Sequence, residues 1–332
     1  MNNHENKVRA LGLCSGGLDS ILSAVVLRNQ GISVEWISFE TPFFSSEKAR
    51  RASARLRIPL IVQNITRSYL EMLRDPPCGY GQHMNPCMDC HALMFRLAGE
   101  VMKGRQMDFL FSGEVLGQRP MSQTRSSLRY VEKHSGCREV IVRPLSAKLL
   151  EESLSEKKGL VDRRLLLGLS GRSRKPQIQL AREWGISDYP APAGGCLLTE
   201  TVYSNRLKDL FDHGADCTEN ALHLLKYGRH IRLNTRLKII VGRTLQDNTA
   251  ILDYQDPSRD MVLKTKQVPG PVVLIPLGAG NDEILQAASI CAGYSKASEN
   301  MQVAVEVVSP GDQATLWVAR TRPESLQSML IC

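Results

Sequence analysis

A short polar run near the start of the chain has the residue types of a phosphate-binding turn. The run CSGGLDS at residues 14–20 follows an apolar stretch, 8–13, that is typical of a buried strand, and precedes residues 21–27, whose composition favours a helix. Adjacent glycines let backbone amides approach an anion, and a helix start favours its negative charge. The run therefore predicts phosphate binding. The alternative is that Asp19 or Ser20 only caps the helix.

The spacing Ser-Gly-Gly-x-Asp-Ser resembles the pyrophosphate loop (PP-loop) of the N-type ATP pyrophosphatases. The run lacks the Gly-Lys-Ser/Thr ending of a Walker loop, which disfavours transfer of a γ-phosphate. The resemblance implies that ATP is cleaved between its α- and β-phosphates with Mg²⁺, leaving AMP on the substrate. Asp19 would act in catalysis by placing Mg²⁺ or orienting the loop. The implied nucleotide contacts come from Ser15, Gly16, Gly17, Asp19 and Ser20.

Three cysteines outside this run have the spacing of metal ligands. Cys87 and Cys90 form a Cys-x-x-Cys pair at the predicted start of a helix, where the helix dipole lowers thiol pKa values, and Cys196 lies in a Gly-rich turn. The pair alone could be a redox pair, half of a zinc site or two buried thiols, and the sequence has no second pair of the kind a zinc ribbon needs. Two local cysteines and a distant one suit a [4Fe-4S] cluster in which one iron lacks a protein ligand.

The run NPCMDC at residues 85–90, taken with Gly195-Cys196, resembles the two cysteine motifs of tRNA 2-thiouridylases. In the cluster-independent members the position that matches Cys87 is an acid, so the resemblance implies the cluster-dependent branch. Cys87, Cys90 and Cys196 would hold the cluster, and Cys90 and Cys196 would act in sulfur transfer. The alternative chemistry is a persulfide on Cys90 or Cys196.

A further segment, SGEVLGQRPMSQT at residues 112–124, resembles the Gly-Glu-x-Leu-Gly-Gln…Ser-Gln-Thr segment of tRNA 4-thiouridine synthases. The resemblance implies that Gly113 and Glu114 lie near the nucleotide, and it favours sulfur transfer as the reaction. Considered without the family, the segment is a polar loop at the end of a strand. Because the chain has features of both thiolase families, the identity of the modified uridine stays open.

The first half of the chain alternates between short apolar segments that predict strands and longer segments that predict helices or loops. This alternation predicts a doubly wound parallel α/β sheet, which the resemblance implies is of the adenine nucleotide alpha hydrolase type. Ligands of such sheets bind at the carboxyl ends of the strands, so Glu40 and Thr41 are expected near the base or ribose. The predicted strands lie near residues 8–13, 33–39, 59–63, 108–112 and 139–143.

The character of the sequence changes after residue 203, which predicts a domain at 1–203 and a smaller α+β domain at 204–332. The pattern Val-Gly-Arg-x-x-x-x-Asn at 241–248 and the Ala-rich stretch at 287–295 resemble the RNA-binding domain of NFACT proteins over roughly 229–310. Short strands and turns are predicted at 225–232 and 237–248, strands at 272–275 and 301–308, and a helix at 287–294.

The net charge of +8 comes from the first domain, since residues 1–203 hold 28 Lys/Arg against 20 Asp/Glu, while 204–332 hold 14 of each. Two runs of basic residues contain no acid, one at 163–175 and one at 226–243. A solvated face would explain either run, whereas contact with RNA phosphates would explain both. The residues predicted to bind RNA are Arg172, Arg174, Lys175, Arg229, Arg232 and Arg243.

Composition bears on the compartment and on the partners. No run reaches the ~18 apolar residues of a membrane span, the first residues do not resemble a signal peptide, and nine unevenly spaced cysteines favour reduced thiols or metal ligands. We therefore expect a cytoplasmic protein without a membrane partner. The expected partners are tRNA and a sulfur donor, either sulfide or a sulfur-carrier protein, and a homodimer is left open. The sequence assigns no role to Cys14, Cys78, His83, His91 and Cys137.

These features predict an enzyme for ATP-dependent thiolation of a tRNA uridine. A uridine carbonyl oxygen would be adenylated, and sulfide held at the cluster would then replace it, releasing AMP in addition to pyrophosphate. The expected cofactors are ATP, Mg²⁺ and a [4Fe-4S] cluster. Two alternatives remain: a PP-loop ATPase that adenylates a small molecule, and a non-catalytic RNA-binding iron–sulfur protein.

Overall fold

The computed structural model describes residues 7–191, 195–214, 217–276 and 278–332. Tertiary contacts divide the chain into two units, residues 1–196 and 197–332, whereas the sequence placed the boundary after residue 203. Each unit has its own sheet. Among the described helices, none has both the length and the apolar composition that crossing a bilayer requires.

The first unit is built on a parallel sheet in the order β3-β2-β1-β4-β5, as predicted. The strands are β1 Arg9–Leu13, β2 Ser33–Glu40, β3 Leu60–Asn64, β4 Phe109–Ser112 and β5 Ile141–Val142. The helices are α1 Leu18–Arg28, α2 Glu47–Leu56, α3 Thr66–Arg74, α4 Cys87–Gly104, α5 Arg125–Ser135, α6 Leu154–Lys157 and α7 Lys175–Glu183. Short 3₁₀ turns lie at Ala147–Leu149 and Arg163–Leu165.

The strand order places the binding crevice of this sheet. The chain moves outward from β1 to β2 and β3 on one side, and β4 and β5 lie on the other, so the direction of winding reverses between β1 and β4. Leu13 at the end of β1 pairs with Ser112 at the end of β4, which brings the loops after these two strands together. Ligands of open parallel sheets bind at such a point.

The second unit is a six-stranded antiparallel sheet with the order β11-β10-β8-β9-β7-β6. Its strands are β6 Arg229–Arg232, β7 Lys238–Val241, β8 Met261–Thr265, β9 Val272–Ile275, β10 Val303–Ser309 and β11 Asp312–Val318. Its helices are α8 Thr201–Asp212, α9 Glu219–Leu224, α10 Leu245–Tyr254 and α11 Asn281–Gly293, and 3₁₀ turns lie at Leu197–Thr199 and Pro323–Met329. One face of the sheet packs on α11, and part of the other packs on α9 and α10.

The sequence prediction for this unit was incomplete. The prediction of strands and turns throughout 237–248 was wrong beyond Val241, because Thr244 caps a helix there: its side chain accepts a hydrogen bond from the backbone amide of Asp247. Strands β8 and β11 were not predicted. The strand at 272–275 was predicted correctly, and the α+β class is confirmed.

Candidate active site

The loop between β1 and α1 is shaped by one glycine. Gly16 has a φ of 72°, and a Cβ atom at this position would lie 2.2 Å from the backbone carbonyl carbon of Lys48. The helix begins at Leu18 and its N-cap is Gly17, which makes no side-chain capping bond. Asp19 therefore lies in the first turn and does not cap the helix, and the capping alternative is wrong for it.

Asp19 is held from the loop that follows β4. Gln118 donates from Nε2 to Asp19 Oδ2 at 2.8 Å, and Gln118 Oε1 accepts a hydrogen bond from Gln177 Nε2 at 2.9 Å. Asp19 Oδ1 is buried and has no hydrogen-bond partner among the residues that the structure describes. A buried polar atom is normally paired, so an unpaired carboxylate oxygen here indicates the place of a ligand. Gln118 and Gln177 were not singled out from the sequence.

The loop after β4 is pressed against the start of α1. A Cβ atom on Gly113 would lie 2.4 Å from the backbone carbonyl carbon of Asp19 and 2.5 Å from the amide nitrogen of Ser20. Only glycine therefore allows this approach. Gly113 therefore packs on the backbone at the start of α1, and its predicted position near the nucleotide stays a prediction.

The first basic run separates into two groups. Arg163 pairs with Glu156, and Arg164 pairs with Asp162 at 2.8 Å. Arg172, Arg174 and Lys175 form no ion pair within the described ranges. Arg174 is close enough to Asp19 to lower the pKa of that carboxyl group, as Arg119 also does, although burial is the larger effect and raises the pKa above its ordinary value.

Arg174 also carries a buried unpaired donor. Its Nε has no hydrogen-bond partner in the described part of the chain. With Asp19 Oδ1, it gives this crevice one unpaired acceptor and one unpaired cationic donor. Such a pair suits a ligand that carries both a metal ion and phosphate oxygens.

Glu114 is fully engaged by protein groups. One carboxylate oxygen, Oε2, accepts from Arg143 Nε at 2.9 Å and from Ser112 Oγ at 3.1 Å, and the other, Oε1, lies 3.0 Å from His91 Nδ1. Burial tends to raise the pKa of Glu114, but the nearby Arg143 and His91 lower it to about 2. Arg143 itself is buried and also pairs with Glu132. Both oxygens of Glu114 are therefore occupied, which disfavours the direct nucleotide contact that the sequence suggested.

The His91–Glu114 contact connects the two predicted motifs. His91 follows Cys90 on α4, and Glu114 follows β4, next to the glycine that packs on the phosphate loop. The sequence assigned His91 no role. Its position directly after the Cys-x-x-Cys pair was the only signal that could have identified it.

The structure brings the three predicted cysteines together around Tyr69. The Tyr69 side chain is buried and its hydroxyl hydrogen-bonds the Cys90 thiol, while Cys87, Cys90 and Cys196 all lie within electrostatic range of that hydroxyl. Burial raises the pKa of Cys90, and the neighbouring Cys196 and Cys87 raise it further. The expectation that the helix dipole lowers the pKa was therefore wrong for Cys90, because burial is the larger effect. Tyr69 was missed from the sequence.

The loop before the cysteine pair is fixed by the residues inside the motif. Asp89 accepts from the backbone amide of Cys78 at 2.9 Å and from the Tyr130 hydroxyl at 2.7 Å, and Asn85 Nδ2 donates to Cys87 Sγ at 3.3 Å. In the described residues, no group of three His, Cys, Asp or Glu side chains is arranged as a set of metal ligands. Part of the predicted turn before Cys196, residues 192–194, lies outside the described residues.

The end of β2 lies beside the phosphate loop, but its polar groups are paired. Glu40 accepts from Ser46 Oγ at 2.6 Å, and Thr41 closes a turn by donating its amide to the carbonyl of Phe44 at 3.0 Å. The residues that follow, at the start of α2, supply the backbone that packs on Gly16.

The second basic run is largely paired within its own unit. Arg232 donates from Nε to Asp209 at 3.0 Å, and Lys238 lies 3.2 Å from the same carboxylate. Arg229 lies over the Tyr294 ring at 4.6 Å, and Arg243 pairs with Asp247 at 3.2 Å. The Arg232 side chain is 18% exposed and that of Arg243 is 47% exposed, and Arg236 of the same run is also exposed, so Arg236 and Arg243 are the accessible cations among these three.

Comparison with known proteins adds the family context. Residues 6–152 match the family model described as thiamine biosynthesis protein (ThiI), and residues 228–329 match the model described as the NFACT protein RNA binding domain. The predicted resemblance to PP-loop tRNA thiolation proteins is confirmed. The match lies within the first unit and ends at residue 152, and the NFACT match covers residues 228–329 of the second unit.

Curated relatives agree with this assignment. A probable tRNA sulfurtransferase of Oceanobacillus iheyensis is 27% identical over 146 residues, which are 41% of this chain and 34% of that protein. A probable tRNA sulfurtransferase of Ureaplasma parvum is 28% identical over 153 residues, 44% of this chain and 39% of that protein. The chain thus covers little more than a third of the length of these relatives.

Solved structures show weaker likeness. A crystal structure described as a 4-thiouridine synthetase–RNA complex with bound ATP has a TM-score of 0.39 and 21% identity, and the match covers 54% of this chain and 41% of that one. The C-terminal part of a fibronectin/fibrinogen-binding protein from Streptococcus suis has a TM-score of 0.28 and 16% identity, covering 74% of this chain and 99% of that one.

Proposed function

We propose that this chain catalyses ATP-dependent thiolation of a uridine in tRNA, releasing AMP and pyrophosphate. The observation that carries the proposal is the His91–Glu114 hydrogen bond of 3.0 Å, because it joins the cysteine helix to the loop that packs on the phosphate turn. An ATP site and a cysteine cluster that act in sequence on one substrate must lie in the same unit. The match of residues 6–152 to the ThiI model supports the same reaction class.

The first step is activation of the uridine by ATP. Amides of the turn at Ser15, Gly16 and Gly17, with the hydroxyl of Ser20, bind the β- and γ-phosphates at the start of α1. The uridine carbonyl oxygen attacks the α-phosphorus, the bond to the bridging oxygen breaks, and pyrophosphate leaves. Asp19 would hold Mg²⁺ through its unpaired oxygen, and the ion would offset the charge of the phosphates. Arg174 contributes positive charge on the same side.

The second step replaces oxygen by sulfur. Adenylation turns the carbonyl oxygen of the uridine into part of a leaving group. A sulfur nucleophile then attacks the carbon that carries this oxygen, and AMP departs with the oxygen. Cys87, Cys90 and Cys196 would present the sulfur, since all three thiols lie within electrostatic range of the Tyr69 hydroxyl. The alternative nucleophile is the outer sulfur of a persulfide on Cys90 or Cys196: the thiol of the other cysteine would then attack the inner sulfur, freeing the thiouridine and leaving a Cys90–Cys196 disulfide for an external thiol to reduce.

The three thiols are suitable ligands for an iron–sulfur cluster. Cys87, Cys90 and Cys196 all influence the Tyr69 hydroxyl electrostatically, and an all-thiolate donor set is the one that [4Fe-4S] clusters use. These three residues would hold it, and a bound cluster would keep sulfur deprotonated at neutral pH. His91 and Asp89 fix the helix start from which two of the ligands come.

The partners follow from the same proposal. tRNA is the substrate, the second unit supplies an RNA-binding surface, and sulfide or a sulfur-carrier protein supplies sulfur, all in the cytoplasm. The functional division we propose is an ATP and cysteine domain at 1–203 and an RNA-binding domain at 204–332, with a homodimer left open. The RNA contacts we propose on the first domain are Arg172, Arg174 and Lys175.

The proposal is tested by turnover of ATP with and without tRNA, combined with metal analysis. We expect AMP and pyrophosphate release that tRNA stimulates, and iron with acid-labile sulfide after anaerobic purification. AMP release that only a small molecule stimulates would favour a small-molecule adenylase. RNA binding without AMP release would favour a non-catalytic iron–sulfur protein.

A further inference from the structure

The antiparallel sheet of the second unit has an uncovered part at its β11 edge. On one face, Val303, Val305 and Val318 belong to the core that packs on α11. On the opposite face, α9 and α10 cover only the part formed by β7, β9 and the first half of β8. The remaining surface, formed by β8, β10 and β11, is called here the open face.

A tryptophan lies on the open face. Trp317 is 58% exposed, and its cross-strand neighbour on β10 is Ala304, a small and buried residue. Thr315 is the next residue of β11 that points the same way, and it is also exposed. No large side chain therefore stands over the indole from the neighbouring strand, and its ring is available to a partner.

The charged residues of the open face are mainly basic. Lys264 on β8 is the cross-strand partner of Glu306, and both Lys264 and Lys266 are exposed. Lys266 Nζ lies 3.4 Å from Thr315 Oγ1 and 3.8 Å from Glu306, which places this ammonium over the same face as Trp317. Two cations, one acid and an exposed indole thus share the surface.

We propose that the open face binds a single-stranded RNA segment, with an unpaired base stacked on Trp317 and phosphates contacted by Lys264 and Lys266. Proteins bind single-stranded RNA with exposed aromatic rings on a sheet face and basic side chains beside them. Any base can stack on such a ring, and the basic side chains contact the phosphates. A purely apolar protein partner would not require the two lysines. The inference rests on the proposed function for its choice of RNA.

The arrangement of the other cations supports this choice. Arg232 and Lys238, which the sequence grouped in a basic run, are taken up by Asp209 in their own unit. Within the described part of the chain, the lysines of the open face have no comparable buried partner, since the acid that Lys266 approaches is Glu306, at 3.8 Å. The open face therefore offers phosphate contacts that the sequence did not indicate.

Tryptophan fluorescence tests the stacking with the full chain and a short oligouridylate. Trp36 is fully buried and Trp184 is partly buried, whereas Trp317 is exposed, and the Trp317→Phe variant separates the Trp317 signal from that of Trp184. We expect quenching that disappears in Trp317→Phe while affinity is retained in part. Trp317→Ala should weaken binding by about 5- to 150-fold, as removal of one stacked base contact does. Leu245→Ala, which changes another exposed apolar residue of the same unit, should leave affinity unchanged.

Binding of the oligonucleotide with unchanged affinity in Trp317→Ala would overturn the proposal. If Trp317→Ala changes the oligomeric state but not the RNA affinity, the proposal is also overturned. That result would identify the β11 edge as an interface between copies of the chain. The assay needs neither ATP nor thiolation. If RNA quenches the fluorescence of Trp317 but the chain releases no AMP, only the proposed reaction is contradicted. If the chain releases AMP but RNA does not quench Trp317, only the open-face proposal is contradicted.

Discussion

Gln118 donates from Nε2 to one carboxylate oxygen of Asp19 at 2.8 Å, and so fixes the other oxygen in the crevice between β1 and β4. Gln177 supports Gln118 from α7 at 2.9 Å. The two amides thereby orient an acid that the phosphate loop carries in its first helical turn. This relationship makes Asp19 Oδ1 the group that we expect to meet the metal ion or the nucleotide.

Removal of Gln118 should therefore reduce adenylation without unfolding the chain. Gln118→Leu should lower the rate of AMP release by about 10- to 100-fold, since a hydrogen bond to a charged group contributes about 1.5–3 kcal/mol. Gln179→Leu is the matched control, because Gln179 is an exposed glutamine of α7 whose side chain donates to Glu183. Equal rates in the two variants would show that Gln118 does not position Asp19.

Asp19→Ala should abolish adenylation with little loss of stability, because Asp19 is a partly exposed acid in the first turn of α1 and lies outside the hydrophobic core. Asp282→Ala is the control, since Asp282 is also the second residue of a helix, α11, and lies in the second unit. Pyrophosphate release under saturating ATP and tRNA is the measurement. Rates near the wild-type value in Asp19→Ala would remove Asp19 from the mechanism.

The paired carboxylate of Glu114 should make the stability of the first unit depend on acid pH. Its pKa falls from 4.5 to about 2 on folding, so the stabilisation is fully present above about 4.5 and is lost as the pH falls towards about 2. Glu114→Gln should be less stable than the wild type at neutral pH, and the difference should shrink over that window.

This dependence can be measured by urea unfolding in a Trp317→Phe background, where fluorescence reports on Trp36 and Trp184 of the first unit. Glu151→Gln is the control, because Glu151 forms an exposed pair with Arg129 that should contribute little. A difference that stays constant from neutral to acid pH would contradict the pairing of Glu114.

The three cysteines should be needed together. Cys87→Ser, Cys90→Ser and Cys196→Ser should each lower bound iron and acid-labile sulfide and stop thiolation, because each supplies one ligand. Cys332→Ser, at an exposed cysteine of the second unit, should change neither. Retention of iron in Cys196→Ser would leave a local metal or redox site formed by Cys87 and Cys90.

Substitutions of Arg172 and Arg174 should have different effects on AMP release and on tRNA binding. Arg174 lies near Asp19, so Arg174→Gln should reduce AMP release even at saturating tRNA. Arg172 is exposed, and Arg172→Gln should mainly weaken tRNA binding and reduce its dependence on salt, as loss of a phosphate contact does. Filter binding over a salt series and AMP release measure the two effects. The same defect in both variants would place Arg174 in the RNA-binding surface alone.

Local patterns were enough to predict the sheet and the loop. Strands β1 and β4 are short, largely apolar runs, and Gly16 is required by its own backbone conformation, so both signals lie within a few residues. The helix α10 had a local signal as well, in Thr244 and Asp247, which the prediction did not use.

Pairings between distant segments could not be predicted in this way. Arg143 reaches Glu114 from 29 residues away, and Arg232 reaches Asp209 from 23 residues away. The second of these pairs shows that a basic run without an acid in its sequence can still be paired in space. The same limitation applies to Tyr69. In sequence it is one aromatic residue of α3, and only the packing of α3 in the fold places its hydroxyl beside Cys90. Such contacts depend on how the elements pack.

The most direct test is to measure thiouridine in unmodified tRNA together with AMP, using the anaerobically purified chain, ATP, Mg²⁺ and sulfide. We predict one AMP released for each thiouridine formed, with both products absent in Asp19→Ala and in Cys90→Ser. AMP release that is independent of tRNA and yields no thiouridine would contradict the proposal that this chain is a tRNA-thiolating enzyme.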